Sequence, residues 1–386
     1  MGTPQARWVL LTTVLGSALA MLDATVVNVA LERIGSDLDA DFAGLQWTVN
    51  AYTLTLAALI LLGGSLGDRF GRRRVFVVGV VWFAVASLLC GLAPSVEVLV
   101  AARALQGVGG ALLTPGSLAI ISAAFHGTHR AAAIGAWSGL GGVAGAIGPF
   151  VGGWLVEWSW RAVFLVNLPL AVVIVVVAVR HVPETRDPDA SPHLDWPGTL
   201  AVVAGLAGLT YALTAAAEGV SATVVVTGLL GVTALGAFAA VERRSPHPMV
   251  PPQLFADRLF TATNAVTLLV YAALGAVFVL LVLHLQVVAG YSPLLSGTAL
   301  LPVTVLMLLF SSRVGALGQR FGPRPFLTAG PLLAGLGVLL MAAIGPGADY
   351  LTAVLPGAVV FGAGLTLTVA PLTATVLGAA PDRYAG

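Results

Sequence analysis

Long apolar runs dominate this sequence and limit what it can fold into. About twelve runs, each of roughly 20 or more mostly apolar residues, follow one another along the 386 residues. About 20 apolar residues is the length of an α-helix that crosses the hydrocarbon core of a bilayer. Because lipid offers no hydrogen-bond partners, each segment must satisfy its own backbone, and a helix does so. The sequence therefore predicts an all-α membrane protein with about twelve transmembrane helices.

The composition agrees with a lipid environment. Hydrophobic residues make up 58% of the chain and charged residues 9%, and the mean hydropathy is +0.97. Soluble proteins carry about 25% charged residues, because their surfaces face water. The net charge of +1 gives no reason to expect a nucleic-acid partner. The predicted helices cover residues 8–30, 46–66, 75–94, 97–122, 131–156, 161–180, 197–217, 220–241, 259–288, 296–317, 326–344 and 350–378.

The placement of arginine predicts the orientation. With the N-terminus in the cytoplasm, the predicted outer loops hold only Arg33 and Arg161. The predicted cytoplasmic loops hold Arg69, Arg72, Arg73, Arg74, Arg130, Arg180, Arg186, Arg243, Arg244, Arg258, Arg320, Arg324 and Arg383. Cytoplasmic loops of membrane proteins carry such an excess of positive charge. We therefore expect a multi-pass protein of the cytoplasmic membrane with its N-terminus inside.

An internal repeat divides the chain. The segment GDRFGRRR at 67–74 recurs as GQRFGPRP at 318–325, an offset of 251 residues, and this register lays helices 1–4 on helices 9–12. Repeats of this kind are typical of transporters whose pathway lies between two bundles. We predict three parts: an N-terminal six-helix bundle (1–180), loops with two linker helices (181–257), and a partial C-terminal bundle of four helices (258–386).

Several motifs make the comparison with a family specific. The loop around Asp68 resembles the signature between helices 2 and 3 of the major facilitator superfamily. LDATVVNVAL at 22–31, WRAVFLVNLP at 160–169, LDWPG at 194–198 and GYSPLLSG at 290–297 are similar to its fourteen-helix drug:proton antiporter branch, the EmrB/QacA type. Members of this branch have a first bundle of six helices, two linker helices and a second bundle of six helices. This resemblance implies that the last two helices are missing here, so we expect the chain alone to insert without supporting export.

The resemblance also implies a function. It predicts efflux of small amphipathic or cationic drugs or antibiotics in exchange for protons, driven by the proton gradient without a cofactor. A proton-coupled importer and a truncated fragment that does not transport remain alternatives. An enzyme is not expected, because no nucleophile elbow, phosphate-binding loop or metal-ligand cluster is present. The expected partners are a small-molecule substrate, protons and the lipid bilayer, and the oligomeric state stays open.

Asp23 is the acidic residue that lies well inside an apolar run. A charge there costs about 2.5–3.5 kcal/mol on insertion scales and marks a functional residue by default. Its natural partner is Arg103 in helix 4, where RALQGVGG at 103–110 is similar to a motif of the family. We predict that the two residues couple transport to protons. The alternatives are a fixed structural pair for Asp23 and an arginine that extends toward the membrane interface for Arg103.

The loop between helices 2 and 3 combines glycines, an acid and arginines. Glycines permit close helix approach, arginines suit an anionic inner leaflet, and Asp68 can accept from those arginines and from the N-terminus of a facing helix. The resemblance implies a latch that holds the two bundles in the outward-facing state; a simple topology anchor is the alternative. The predicted latch residues are Gly64, Asp68, Arg69, Gly71, Arg72 and Arg73.

Helix 5 carries the glycine pattern that the resemblance identifies as an antiporter motif, although one of its glycine positions is Ala144. Small residues allow tight helix contact, and a proline removes a backbone donor and permits a bend. Generic tight packing is the alternative interpretation. The motif residues are Gly135, Gly148, Pro149, Gly152 and Gly153.

A substrate cavity is expected from polar and aromatic residues within the helices. The acid is not repeated, because Asp23 plus 251 is Leu274, so we expect the coupling chemistry in the first repeat alone. The predicted cavity residues are Asn28, Gln106, Asn264, Tyr271, Phe278 and Gln286.

Overall fold

The protein is helical throughout the part of the chain that the structure describes. The computed structural model describes residues 4–125, 127–186, 195–245, 248 and 252–379. Within these ranges, eleven segments are long and apolar enough to cross a membrane. The predicted span at 131–156 lies in a further helix, Gly127–Trp158, in which several side chains lie outside the described residues. The predicted all-α membrane fold is therefore confirmed.

The helices follow the predicted order. The first nine are α1 Pro4–Leu38, α2 Phe42–Phe70, α3 Arg72–Gly91, α4 Val96–Ala124, α5 Gly127–Trp158, α6 Ala162–Leu165, α7 Asn167–His181, α8 Trp196–Ala215 and α9 Ala222–Arg244. The others are α10 Arg258–Val287, α11 Pro293–Thr298, α12 Leu301–Phe321, α13 Arg324–Met341 and α14 Leu355–Ala379.

Three predicted spans contain a local irregularity, although each still forms one apolar segment long enough to cross a membrane. The span 161–180 divides at Val166 into α6 and α7, and 296–317 divides between α11 and α12. Pro169 and Pro302 each lack the N–H that would bond to the carbonyl four residues earlier, so the helix is interrupted one turn before each proline. The last span opens with a π-helical turn at Tyr350–Val354.

The chain forms two compact units, defined by contacts. The first comprises Met1–Asp23, Arg33–Gly141 and Trp160–Pro252, and the second comprises Ala24–Glu32, Gly142–Ser159 and Gln253–Gly386. The linker helices α8 and α9 pack on each other and α8 packs on α2, so both fall within the first unit. The predicted three-part division at 1–180, 181–257 and 258–386 stays a prediction.

In the first unit, α4 packs against both α2 and α3 at glycines. A Cβ on Gly63 would overlap the carbonyl oxygen of Ala111, and a Cβ on Gly109 would lie 2.7 Å from the backbone nitrogen of Phe83. Thr55 Oγ1 adds a hydrogen bond to the carbonyl of Ala104 at 2.9 Å. Small residues at helix crossings allow the backbones to approach closely enough for such contacts. This packing brings the middle of α4 into the core of the first unit.

The second unit repeats this arrangement, with α14 packed against both α12 and α13. A Cβ on Gly337 would overlap the backbone nitrogen of Phe361. The core is an apolar cluster that includes Met341, Phe361 and Leu365, with Leu274 packed against it.

Candidate functional site

A buried carboxylate lies at the centre of the candidate site. Asp23 is in the middle of α1 and is 0% exposed. Its Oδ2 accepts a hydrogen bond from Arg103 Nη1 at 2.6 Å. Its Oδ1 accepts from Gln106 Nε2 and from Asn167 Nδ2, each at 2.8 Å. Three protein donors therefore replace the water that this carboxylate loses, which offsets part of the cost of burying it.

Arg103 holds several partners besides Asp23. The arginine is 1% exposed, and its Nη1 also donates to Gln106 Oε1 at 2.6 Å. Its Nε donates to the carbonyl oxygen of Thr48 at 3.0 Å, and its guanidinium carbon lies 4.3 Å from the ring centroid of Tyr52. An aromatic face stabilises a desolvated cation. Arg103 would therefore keep favourable contacts even if Asp23 lost its charge, which is the capacity that a reversible proton site requires.

The hydroxyl of Ser87 orients the two amide side chains that contact Asp23. Ser87 Oγ accepts from Gln106 Nε2 at 2.8 Å and from Asn167 Nδ2 at 3.2 Å. Its own proton goes to the carbonyl oxygen of Phe83 at 2.8 Å. Both amide side chains that contact Asp23 are therefore anchored on one hydroxyl of α3. Helices α1, α3, α4 and α7 all contribute to a single buried network, which we call the Asp23 network: Asp23, Ser87, Arg103, Gln106 and Asn167.

The contact between Asp23 and Arg103 was expected from the sequence, whereas two members of the network were missed. Ser87 and Asn167 are both 0% exposed and both lie in apolar runs. Asn167 belongs to the quoted motif WRAVFLVNLP, but no role was inferred for it. A polar side chain inside a predicted membrane helix was the available signal. The coupling role of Asp23 and Arg103 stays a prediction.

The loop between α2 and α3 turns at Gly71, whose φ is +113°. Only glycine adopts this backbone conformation without strain. Arg72 pairs with Asp68 across the turn, with Nη2 2.7 Å and Nε 2.8 Å from Oδ1. Arg69 is exposed and lies against the ring of its neighbour Phe70. The predicted contact between Asp68 and an arginine of its own loop is therefore present.

The pairing of Asp68 with the N-terminus of a facing helix stays a prediction. The partner of Asp68 among the described contacts is Arg72. The carboxylate that does face a helix N-terminus is Glu184, which accepts from the backbone N–H groups of Arg73 and Arg74 at 3.1 and 3.2 Å. A carboxylate is favourable there, because it neutralises the positive end of the helix dipole.

Arg73 is likewise held by protein groups. Its Nη1 donates to the carbonyl of Val182 at 3.0 Å, and its Nε lies 3.7 Å from Glu184 Oε2. A Cβ on Gly71 would lie 2.7 Å from Glu184 Oε1. Gly64 is in ordinary contact, since a Cβ there would lie 3.6 Å from Pro115 Cβ. The tight crossing of α2 and α4 is at the neighbouring Gly63 rather than at Gly64.

The glycines of α5 provide close contacts in the second unit. A Cβ on Gly152 would lie 3.1 Å from Val26 Cα, and one on Gly153 would lie 2.7 Å from Leu294 Cα. A Cβ on Gly297 would overlap the carbonyl oxygen of Pro149. Gly148 and Pro149 are buried, and the helix continues through the proline. Gly135 lies in the same helix, but its surroundings are outside the described residues.

The predicted cavity residues belong to both units, Gln106 to the first and the other five to the second. Gln106 is fully buried within the Asp23 network. Asn264 Nδ2 donates to the carbonyl of Phe260 in its own helix, at 2.8 Å. Tyr271 is 52% exposed.

Two further predicted cavity residues concern the part of α1 that follows Asp23: Asn28 lies in it, and Gln286 contacts it. Gln286 Nε2 donates to the carbonyl oxygen of Val29 at 3.2 Å. Asn28 Oδ1 is buried without a hydrogen-bond partner in the described part of the chain. Phe278 packs edge-on against Phe361. A shared substrate cavity stays a prediction for all six residues.

One groove of the second unit is apolar. It has a volume of about 470 Å³ and contains none of the predicted cavity residues. Its lining consists of Leu295, Thr298, Leu301, Pro302, Val305, Leu306, Tyr350 and Val359.

The sequence matches a known family along almost its full length. The family model described as Major Facilitator Superfamily covers residues 13–386. Puromycin resistance protein pur8 of Streptomyces alboniger is 37% identical, over 99% of this chain and 77% of that protein. The multidrug resistance protein Stp of Mycobacterium tuberculosis is 35% identical over 98% and 70%. The probable actinorhodin transporter of Streptomyces coelicolor is 37% identical over 98% and 68%.

Solved structures share the fold at low sequence identity. A POT family transporter in complex with 5-aminolevulinic acid gives a TM-score of 0.73 at 14% identity, over 100% of this chain and 86% of that chain. The xylose transporter XylE from E. coli, in a partially occluded inward open conformation, gives 0.64 at 14% identity, over 96% and 87%. At such identities the similarity supports the helical architecture alone.

Proposed function

This chain belongs to the major facilitator superfamily, and we propose that it exports small amphipathic or cationic compounds, antibiotics among them, in exchange for protons. The family consists of membrane transporters, not enzymes, and its members need no cofactor. Small-molecule substrates therefore follow from the family. The relatives named above are resistance proteins and a probable antibiotic transporter, and a further one is the multidrug efflux pump LfrA of Mycolicibacterium smegmatis. These names support the outward direction of transport.

The observation that carries the coupling proposal is the buried pair of Asp23 and Arg103. The two side chains are 0% and 1% exposed and lie 2.6 Å apart. A buried ion pair contributes little net stability compared with a well-packed apolar pair, because both charges lose their water. Its presence in an apolar bundle favours a functional role. We assign Asp23 as the group that takes up and releases the proton, and Arg103 as the cation that responds to its charge.

The remaining predicted residues take supporting roles in the proposal. The turn at Gly71 and the pair of Asp68 with Arg72 form the latch at the end of α2, and Glu184 completes it at the N-terminus of α3. The glycines of α5 provide the close contacts that change when the pathway opens. The excess of arginine in alternate loops supports a bacterial cytoplasmic membrane location with the N-terminus inside.

The experiment is an acid-to-amide exchange read out as transport and as proton movement. Asp23→Asn keeps the shape of the side chain but cannot titrate, so we expect it to abolish dye-driven proton release from vesicles and ethidium efflux from cells. Asp257→Asn is the matched control, because Asp257 is an exposed N-cap of α10 and asparagine caps equally well. The control should retain full activity.

Two outcomes would contradict the proposal separately. Undiminished proton release in the Asp23→Asn variant, at matched membrane levels, would exclude Asp23 as the coupling group. If the protein completed with the two helices that the resemblance implies raises tolerance to neither ethidium nor puromycin, export of such compounds is contradicted.

A further inference from the structure

Among the described contacts, the side-chain amide of Asn167 makes hydrogen bonds through its nitrogen and none through its oxygen. Its Nδ2 donates to Asp23 Oδ1 at 2.8 Å and to Ser87 Oγ at 3.2 Å. Its Oδ1 is buried without a hydrogen-bond partner in the described part of the chain. The residue is 0% exposed, so bulk water does not satisfy this oxygen. A buried unsatisfied acceptor is costly and calls for an explanation.

The other side-chain acceptors of the Asp23 network are occupied. Gln106 Oε1 accepts from Arg103 at 2.6 Å, and Cys90 Sγ lies 3.6 Å from the same oxygen. Ser87 Oγ accepts two amide donors and gives its own proton to a carbonyl. Both oxygens of Asp23 are engaged with protein donors. Hydrogen bonding in the network is therefore complete for a charged Asp23, with the single exception of Asn167 Oδ1.

Protonation changes what Asp23 requires. A carboxylate only accepts hydrogen bonds, whereas a carboxylic acid also carries one O–H donor. That donor is buried and needs an acceptor, and the unused acceptor beside it is Asn167 Oδ1. Rotation of the amide about its Cβ–Cγ bond exchanges Oδ1 and Nδ2. Before the rotation Oδ1 lacks a partner, and after the rotation Nδ2 lacks one.

We propose that Asn167 is a positioning residue that serves both protonation states of Asp23: its Nδ2 donates to the carboxylate, and its Oδ1 accepts from the carboxylic acid after the amide rotates. This inference rests on the proposed function, because it assumes that Asp23 takes up the transported proton. The proton stays on Asp23. No covalent bond to Asn167 forms or breaks. Arg103 no longer pairs with an anion when Asp23 is neutral. It keeps its hydrogen bonds to Gln106 Oε1 and to the carbonyl oxygen of Thr48.

The neighbouring titratable groups are already engaged elsewhere. On α2, the Tyr52 hydroxyl contacts the carbonyl oxygen of Ala20 at 3.3 Å. On α3, Cys90 points to Gln106. On α4, Arg103 is a donor only. In the described part of the chain, neither Tyr52 nor Cys90 is hydrogen-bonded to Asp23, and Arg103 only donates to it. Asn167 already contacts Asp23 and has an unused acceptor, so it is the receiving group.

Infrared difference spectroscopy of the purified full chain in lipid tests the proposal without a transported substrate. A pH titration gives the C=O band of protonated Asp23, identified as the band that is absent in Asp23→Asn. We expect Asn167→Leu to move this band to higher frequency, because the acid loses its acceptor.

Ser117→Ala is the matched control, since Ser117 is equally buried but donates to the carbonyl of Leu113 in its own helix. It should leave the band unchanged. An Asn167→Leu protein with an unshifted band would overturn the role of Asn167, and leave proton coupling by Asp23 intact. If Asn167→Leu does not fold, the wild-type band decides: a frequency equal to that of a carboxylic acid without hydrogen bonds would overturn the proposal.

A different result bears on the proposed function itself. If no band is lost in Asp23→Asn at any pH, Asp23 does not titrate, and both the coupling role and this inference are wrong. Failure of the inference alone is thus distinguishable from failure of the proposed function.

Discussion

The two repeats of this chain share their backbone geometry but differ in the chemistry of their cores. Gly71 in the first repeat and Gly322 in the second both turn with positive φ, +113° and +82°. Asp23 of the first repeat anchors a buried ionic network, while Leu274, 251 residues later, packs on an apolar cluster. The same helical frame therefore supports either a charged or an apolar core.

The loops between the second and third helices of each repeat differ in the same way. Arg69 and Arg320 both lie against a following phenylalanine, 5.0 and 5.3 Å from the ring centroid. Arg72 pairs with Asp68 in the first loop, whereas Pro323 occupies the position of Arg72 in the second. Backbone features that fold the hairpin are repeated, and the charged pairs Asp23–Arg103 and Asp68–Arg72 are not. This difference favours coupling within the first repeat alone.

The largest effect is expected from Asp23→Leu, which gives the first repeat the residue found at the equivalent position of the second, Leu274. Asp23→Leu leaves Arg103 buried without its anion, which should lower the free energy of unfolding by about 3–5 kcal/mol. The double variant Asp23→Leu with Arg103→Met should recover most of that loss, because an apolar pair can replace a buried ion pair. Thermal unfolding in detergent measures both. A double variant no more stable than the single one would show that the charge is not the cause.

A second comparison concerns the two turns. Alanine at either Gly71 or Gly322 must adopt a positive φ, which costs about 1–3 kcal/mol. Only at Gly71 would the new Cβ also meet a carboxylate, since a Cβ at Gly322 has nothing within 4 Å. Gly71→Ala should therefore lower thermal stability more than Gly322→Ala. Equal losses would mean that Glu184 moves aside without cost and is no part of the latch.

The third prediction tests what the repeats have in common. Gly79 and Gly330 occupy equivalent positions, and a Cβ on either would lie within about 3 Å of a neighbouring helix. Alanine at each should destabilise by a similar amount, about 1–2 kcal/mol, because overpacking outweighs the gain in helix propensity. Gly335→Ala, with open space at its Cβ, should be neutral or slightly stabilising. Unequal losses at Gly79 and Gly330 would contradict the shared frame.

The smallest effect is expected at the exposed arginines. Arg69→Ala and Arg320→Ala each remove an exposed contact with an adjacent ring, worth about 0.5–1 kcal/mol. The thermal unfolding of both variants should be near that of the wild type. Loss of transport in Arg69→Ala alone would support the predicted place of Arg69 in the latch and enlarge the difference between the repeats.

The sequence predicted more of the fold than of the site. Helix number and order followed from run length, because about 20 apolar residues must span a bilayer. The breaks at Val166 and between α11 and α12 were missed, since apolar composition continues across them and only the position of a proline marks them. The hydrogen bond from Gln106 to Asp23 was not predicted, because the partners of Gln106 come from α1 and α3.

Membership of the lipid-spanning class, the repeat and the place of a carboxylate, Asp23, inside a membrane helix were determined by the sequence itself, because each depends on the chemistry of residues at known spacing. Which groups meet Asp23 was decided only by the tertiary structure. Asn167 lies 144 residues from Asp23, and Glu184 lies 111 residues from Arg73. Glycine contacts between helices set those meetings, and hydrophobic periodicity carries no record of which helix packs against which.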